Sequence, residues 1–150
     1  MTAAARLRLY HRLQLAAQRA RKAADRAVAE AAGISTAQAG VLSVVAEGRD
    51  AGMPVNQRQV AARLGVNESA VTAMVARLLK LGLLERYRGT GARDWFLRLT
   101  PAGDLARDRI RPAFATVNAV IEAQLGPDGA EALAAALDRL AEAFGEAGEG

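Results

Sequence analysis

Residues 57–78 read QRQVAARLGVNESAVTAMVARL, and the spacing within them decides the fold. Val60, Ala61 and Leu64 place apolar groups on one face of a short helix that Asn56 opens and Gly65 closes. Gly65 permits the positive φ of a tight turn between helices, which a residue with a Cβ tolerates poorly. Val66 is expected to plug the corner. Asn67 is expected to cap a second helix running to about Lys80, with Val71, Met74, Val75 and Leu78 as its buried face. Ala61, a small residue four before the glycine, lets the helices cross closely, and Val71, six after it, packs into the crossing. This is helix-turn-helix spacing, in which the second helix enters a DNA major groove. A tight αα corner without a nucleic-acid partner shares the same glycine and apolar positions.

The residues downstream favour the first reading. LGLLERYR leads into a strand at about 84–88, GTGA turns, and a second strand returns at about 95–99. Alternation puts Trp95, Leu97 and Leu99 on one face of that strand and Phe96 and Arg98 on the other. Trp95 is expected to be the packing anchor of the hairpin. Arg86 and Arg88 sit on the outgoing strand and Arg93 just beyond the tip, so the hairpin is basic. Arginine reaches phosphate or enters a narrow minor groove, and a basic hairpin beside a recognition helix reads as a wing. The competing reading is an edge hairpin kept soluble by its charge.

On the helix opened by Asn67, burial of 71, 74, 75 and 78 turns Ser69, Thr72, Ala73, Ala76 and Lys80 outward, with Arg77 flanking. Ser69 and Thr72 offer hydroxyls to bases or phosphate, and Ala73 offers a methyl to thymine. Glu68 suits the positive end of the helix dipole better than it suits cytosine reading. Gln57 and Arg58 begin the preceding helix and are candidates to hold phosphate. The expected DNA-contacting set is therefore Gln57, Arg58, Asn67, Ser69, Thr72, Ala73, Arg77, Arg86, Arg88 and Arg93.

Outward from this centre the chain reads as helix. Residues 5–31 lack Gly and Pro, and Leu9, Leu13, Ala16, Ala20, Ala24 and Ala27 form a stripe that lets another helix approach. Ser35 caps a helix of about 36–47, and EGRDAGMP (47–54) reads as a loop. Thr100-Pro101 starts a helix with Leu105, Ile110, Phe114, Val117 and Ile121 on one stripe, and Pro112 is expected to kink or divide it. Gly126-Pro127-Asp128-Gly129 reads as a break. A last helix, about 130–144, carries Leu133, Leu137, Leu140 and Phe144, and the tail GEAGEG is expected to fray. The fold class is mainly α with a small β-hairpin, in one domain spanning 1–150.

Composition narrows the function. The chain has 150 residues, 51% of them hydrophobic but only 4% aromatic, so Leu, Val and Ala must build the core. It has no cysteine, which excludes disulfides and thiolate chemistry, and His11 is the single histidine. No cofactor or metal site is expected. The net charge of +4 is unevenly spread. Residues 51–111 carry eleven Lys/Arg against five Asp/Glu, whereas 112–150 carry one against seven. A basic centre with an acidic end suits one surface facing a polyanion and another kept away from it. No run of about 18 apolar residues exists for a membrane span, and the basic, alanine-rich start lacks a continuous apolar core for a secretory signal. A soluble cytoplasmic protein is expected.

These residues resemble the MarR family, the multiple-antibiotic-resistance regulators. The match runs in order through Gln57–Leu64, Val66–Thr72, Arg77-Leu78, Leu81–Arg86 and Leu99-Thr100-Pro101-Ala102-Gly103, the last resembling the family's LTxxG. One position departs. The family wing carries Asp-x-Arg eight and six residues before that Leu. Here Arg93 holds the Arg place, but Gly91 stands where the Asp that orients the arginine belongs, and the neighbouring Asp94 points to the other face.

The resemblance implies a winged helix-turn-helix at about 35–103, flanked by dimerisation helices at about 5–31 and 104–145. It implies a homodimer that represses transcription from a palindromic site in double-stranded DNA and is released by a small-molecule effector. No ligand-binding residue stands out. Two other functions compete. A winged helix serving as a protein-interaction module would need an apolar or acidic outward face, against the arginines here. An enzyme would need a nucleophile–base pair, a metal cluster or a phosphate loop, and none is present.

Overall fold

The structure, a computed structural model, describes residues 1–6, 8–91 and 93–147. Leu7 in the expected first helix, Ala92 in the expected hairpin turn and 148–150 of the tail lie outside the described residues. The helices are α1 (Ala3–Arg6), α2 (Leu9–Ala32), α3 (Thr36–Asp50), α4 (Gln57–Leu64), α5 (Glu68–Lys80) and α6 (Pro101–Ala147). The strands are β1 (Val55–Asn56), β2 (Leu84–Arg88) and β3 (Trp95–Leu99). They form one antiparallel sheet in the order β1-β3-β2. The chain divides into two compact units, Met1–Phe114 and a second from Ala115 onward.

In the first unit, caps decide where helices begin. Ser35 Oγ accepts from the Gln38 amide while the Gln38 side chain accepts from the Ser35 amide, a closed capping box. Asp25 of α2 adds two more bonds to that end. Its Oδ1 accepts from the Thr36 amide (2.8 Å) and from the Thr36 hydroxyl. These bonds, hydroxyl first and amide second, with the Arg21 guanidinium adding to them, hold the Asp25 carboxyl below its ordinary range. The fold thus favours the ionised form. The stability it contributes is present above the unfolded aspartate value of about 3.9 and is lost as pH falls through the depressed folded value. Asp25→Ala is expected to lower stability at pH 7 by about 1 kcal/mol, as for a lost cap. The gap between the two proteins' urea midpoints should shrink as pH falls below about 4. A gap unchanged at pH 3 would exclude this role.

The core gathers Val28, Leu42, Val45, Val60, Val71, Val75 and Leu78, all 2% exposed or less, with Leu84, Leu97 and Leu99 closing it from the sheet. No polar or charged side chain is buried with them among the described residues. Helix α3 runs through Asp50, beyond the expected end at 47, because Gly48 is a packing site rather than a breaker. A Cβ there would stand 2.7 Å from the Met53 carbonyl oxygen. The two-residue strand β1, which no local sequence signal marks, pairs Val55 with Leu97 and Asn56 with Phe96.

Helix α6 corrects two expectations. Its core-facing line is Gly103, Ala106, Ile110 and Ala113, while Leu105 is 50% exposed and Phe114 37%. Small residues are needed because the helix start lies against the Leu83 carbonyl. Thr100 donates its amide to that oxygen (3.1 Å) and its hydroxyl to the Gly82 carbonyl, and its Oγ1 accepts from the Gly103 amide (3.1 Å). A Cβ on Gly103 would stand 2.1 Å from the same Leu83 oxygen. The LTxxG run is therefore a clasp between the end of the recognition segment and the start of α6. Pro112 does not divide the helix; the non-helical residue is Gly126 (φ 70, ψ 169). Proline's fixed φ is itself helical, so it forfeits one bond, whereas Gly126 combines a left-handed φ with a following proline that cannot donate.

In the second unit, Ile121 and Glu122 before that break and Leu133 and Leu137 after it line one shallow cleft of ≈ 200 Å³. Among the described residues no single helix is long and apolar enough to cross a membrane.

Candidate nucleic-acid interface

Three local devices set the recognition segment. Asn56 and Gln59 form a reciprocal capping box at the start of α4, with both bonds at 2.9 Å. Gly65 then takes φ 64, ψ 32 and turns the chain. Asn67 Oδ1 accepts from the Ala70 amide at 2.8 Å and opens α5. Val66 does not plug this corner: it is 40% exposed. The turn is closed instead by backbone, with the Val66 amide donating to the Ala61 carbonyl at 3.1 Å.

Helix α5 buries Val71, Val75 and Leu78 against the core, with Met74 half-buried. This leaves Ser69, Thr72, Ala73, Ala76, Arg77 and Lys80 exposed together, the face expected from the apolar spacing. Two of its hydroxyls are already bonded. Thr72 Oγ1 donates to the Glu68 carbonyl (2.8 Å) and accepts from Gln57 Nε2, while Ser69 Oγ donates to Asn67 Oδ1 (2.8 Å). Asn67 therefore spends its side-chain oxygen on the cap. Arg58 Nε lies 3.3 Å from Glu68 Oε1. Both side chains are largely exposed, so this pair is weak and open to exchange with phosphate.

The hairpin has two chemically different faces. On one, Arg98 pairs with Glu85 at 2.6 Å and lies 4.8 Å above the Tyr87 ring, which in turn contacts Phe96. That arginine's charge is met within the sheet. On the other face Arg86 and Arg88 are exposed opposite Leu97 and Trp95. Trp95 is not a buried anchor: it is 50% exposed, with the Arg88 guanidinium 4.6 Å from its ring centre. Packing is supplied instead by Leu97 and Leu99, further from the tip.

At the tip Gly91 has φ 75, a conformation in which an aspartate would be strained. Arg93 is exposed and forms no ion pair or hydrogen bond among the described residues. Asp94 lines a polar cleft of ≈ 360 Å³ with Asn56, Gln57, Arg58, Glu68 and Trp95, joining the starts of α4 and α5 to the start of β3. Sequence reasoning left Trp95 out of the site. The available signal was its cross-strand register with Arg88, a pairing suited to cation–π contact.

A helix-turn-helix whose second helix is exposed on one face, followed by a hairpin with exposed arginines, is a winged helix-turn-helix. The MarR family model matches residues 32–93. Among solved structures the chain is similar to the PcaV transcriptional regulator from Streptomyces coelicolor in complex with its natural ligand. That likeness has 29% identity and a TM-score of 0.73, over 91% of each chain. It is similar to the transcriptional repressor CouR bound to a 23-mer DNA duplex, at 29% identity and a TM-score of 0.79, over 89% of this chain and 92% of that one. It is also similar to the M. tuberculosis regulator MosR in complex with DNA, at 26% identity and a TM-score of 0.69, over 91% and 97%. No curated protein matches the chain in sequence. Residues 32–93 thus resemble the MarR family, and over most of its length the chain shares the fold of solved winged-helix transcriptional regulators.

Proposed function

We propose that this chain is a sequence-specific DNA-binding repressor that acts as a cytoplasmic homodimer on an inverted repeat and is released by a small-molecule effector. It works by binding and performs no catalysis. The observation that carries the reading is the shared exposure of the α5 face and of Arg86, Arg88 and Arg93 beside it. Helix dipole, helix face and wing then present one positive surface of the kind that engages a groove and its flanking phosphates. Gln57, Arg58 and Asn67 contribute from the helix starts. Similarity to CouR on DNA, and to CouR bound to p-coumaroyl-CoA, supports both the duplex and an effector.

Dimerisation rests on apolar side chains that each unit leaves in water. Leu9, Leu13 and Leu15 are exposed on α2, as are Leu137, Leu140 and Phe144 in the second unit, the last at 68%. A second copy would cover these through the segments at about 5–31 and 104–145, and the acidic stretch 112–150 suits a lobe held off DNA.

The test is binding to duplexes recovered from a randomised pool. Half-sites are expected about 10 bp apart, or a multiple of one turn, centre to centre. Sedimentation should give two chains per duplex. Affinity should fall about 10³–10⁵-fold between 50 and 200 mM salt if 6–10 phosphates are contacted. Binding indifferent to salt, or one chain per site, would contradict the proposal.

A further inference from the structure

The two hydroxyls that the sequence assigns to base contact are both hydrogen-bonded within the protein. A hydroxyl has one proton and two lone pairs. Thr72 gives its proton to the Glu68 carbonyl and one lone pair to Gln57 Nε2, and Ser69 gives its proton to Asn67 Oδ1. Neither has a donor left for a base. The middle of α5 exposes Thr72, Ala73 and Ala76, and with the Thr72 hydroxyl proton given to Glu68 the group that side chain has left to press on a base is its γ-methyl. The cationic donors Arg77 and Lys80 lie in its last turn, and Arg58 starts the neighbouring helix, in a weak exposed pair with Glu68.

Facing the major groove, a methyl surface distinguishes one base feature above all, the thymine C5-methyl. Guanine and adenine N7 require a donor, and cytosine presents only C–H at that position. We infer that the centre of α5 reads thymine by methyl contact through Thr72 and Ala73, with Gln57 as a positioning residue that keeps the Thr72 hydroxyl turned toward α4. The inference rests on the proposed DNA binding and specifies its substrate: half-sites that place thymine opposite Thr72.

The probe is the duplex most enriched by the wild-type protein from a randomised pool, with each thymine of one half-site replaced singly by deoxyuridine. That change removes the C5-methyl and nothing else. At one or two positions deoxyuridine should weaken binding about fourfold, the worth of one buried methyl. Thr72→Ser removes the side-chain methyl and should bring the thymine-to-deoxyuridine ratio at one of these positions close to unity. Thr72→Val keeps a methyl there and should retain the ratio, whatever its overall affinity. Gln57→Ala should lower the same ratio without moving the thermal midpoint, which a purely structural glutamine would not do. No deoxyuridine effect at any position would overturn the inference. So would a ratio retained by Thr72→Ser and lost by Thr72→Val, which assigns reading to the hydroxyl. A ratio unmoved by Gln57→Ala would overturn the positioning role. If the wild-type protein enriches no duplex at all, the DNA-binding reading itself fails, an outcome separate from these.

Discussion

Alanine in place of Gly103 is expected to lower the unfolding free energy by about 2–3 kcal/mol, a cost typical of a contact that must be forced open. The sign carries the information. Gly→Ala in an ordinary helical position is favourable by roughly 0.5–1 kcal/mol. Here the new Cβ would stand 2.1 Å from the Leu83 carbonyl oxygen and 3.0 Å from Leu99 Cδ2. The oxygen cannot retreat freely, because it accepts the Thr100 amide at 3.1 Å. Urea unfolding should show a lower midpoint at an unchanged m-value. A stabilised or neutral variant would show that the start of α6 does not sit as described.

Removing the three wing arginines together, Arg86, Arg88 and Arg93 to Ala, is expected to weaken binding to every duplex about 10²–10³-fold at 0.1 M salt. The reason is that each phosphate contact contributes close to one unit of slope in log K against log salt. The slope itself should flatten by about three. Arg98→Ala serves as the contrast, since its guanidinium is already met by Glu85 and Tyr87. Titrations of the enriched duplex and a scrambled one at two salt concentrations decide the matter. Equal losses on both assign the arginines to phosphate, and losses concentrated on A·T-rich flanks assign them to a narrow minor groove. No loss on either duplex would place the wing away from DNA.

How much of the fold and interface is legible in the sequence depends on the range of the interactions. Asn56, Gly65 and Asn67 act within three or four residues of themselves, so α4, the turn and the start of α5 follow from local chemistry. Strands β2 and β3 share a short hairpin and are equally readable. Strand β1 is not, because Val55 and Asn56 become a strand only by pairing with Leu97 and Phe96, some forty positions away. The same distance dependence explains Leu105 and Phe114. Sequence favours the bulkiest apolar stripe, but the surface that meets the start of α6 is the Leu83 carbonyl and Leu99, which leave room only for a glycine at 103, and the buried line continues through Ala106, Ile110 and Ala113.

The outward face of α5 is foreseeable residue by residue, yet its chemistry is not. Whether Thr72 offers a hydroxyl or a methyl depends on Gln57, fifteen positions earlier and on another helix. Gly91 stands out in the sequence as a departure, and its φ of 75 gives the physical reason: the tip is built around a conformation suited to glycine.

Trp95 is the only tryptophan in the chain, and it lies half in solvent in the last strand pair before the hairpin tip, with a guanidinium over its ring. The protein's red-edge fluorescence therefore comes from a single indole at one identified place, with no background from the core. Its emission maximum and its accessibility to iodide or acrylamide report on the hairpin's surroundings and on little else. Selective excitation of that indole becomes a local gauge of the wing in the unlabelled, wild-type protein.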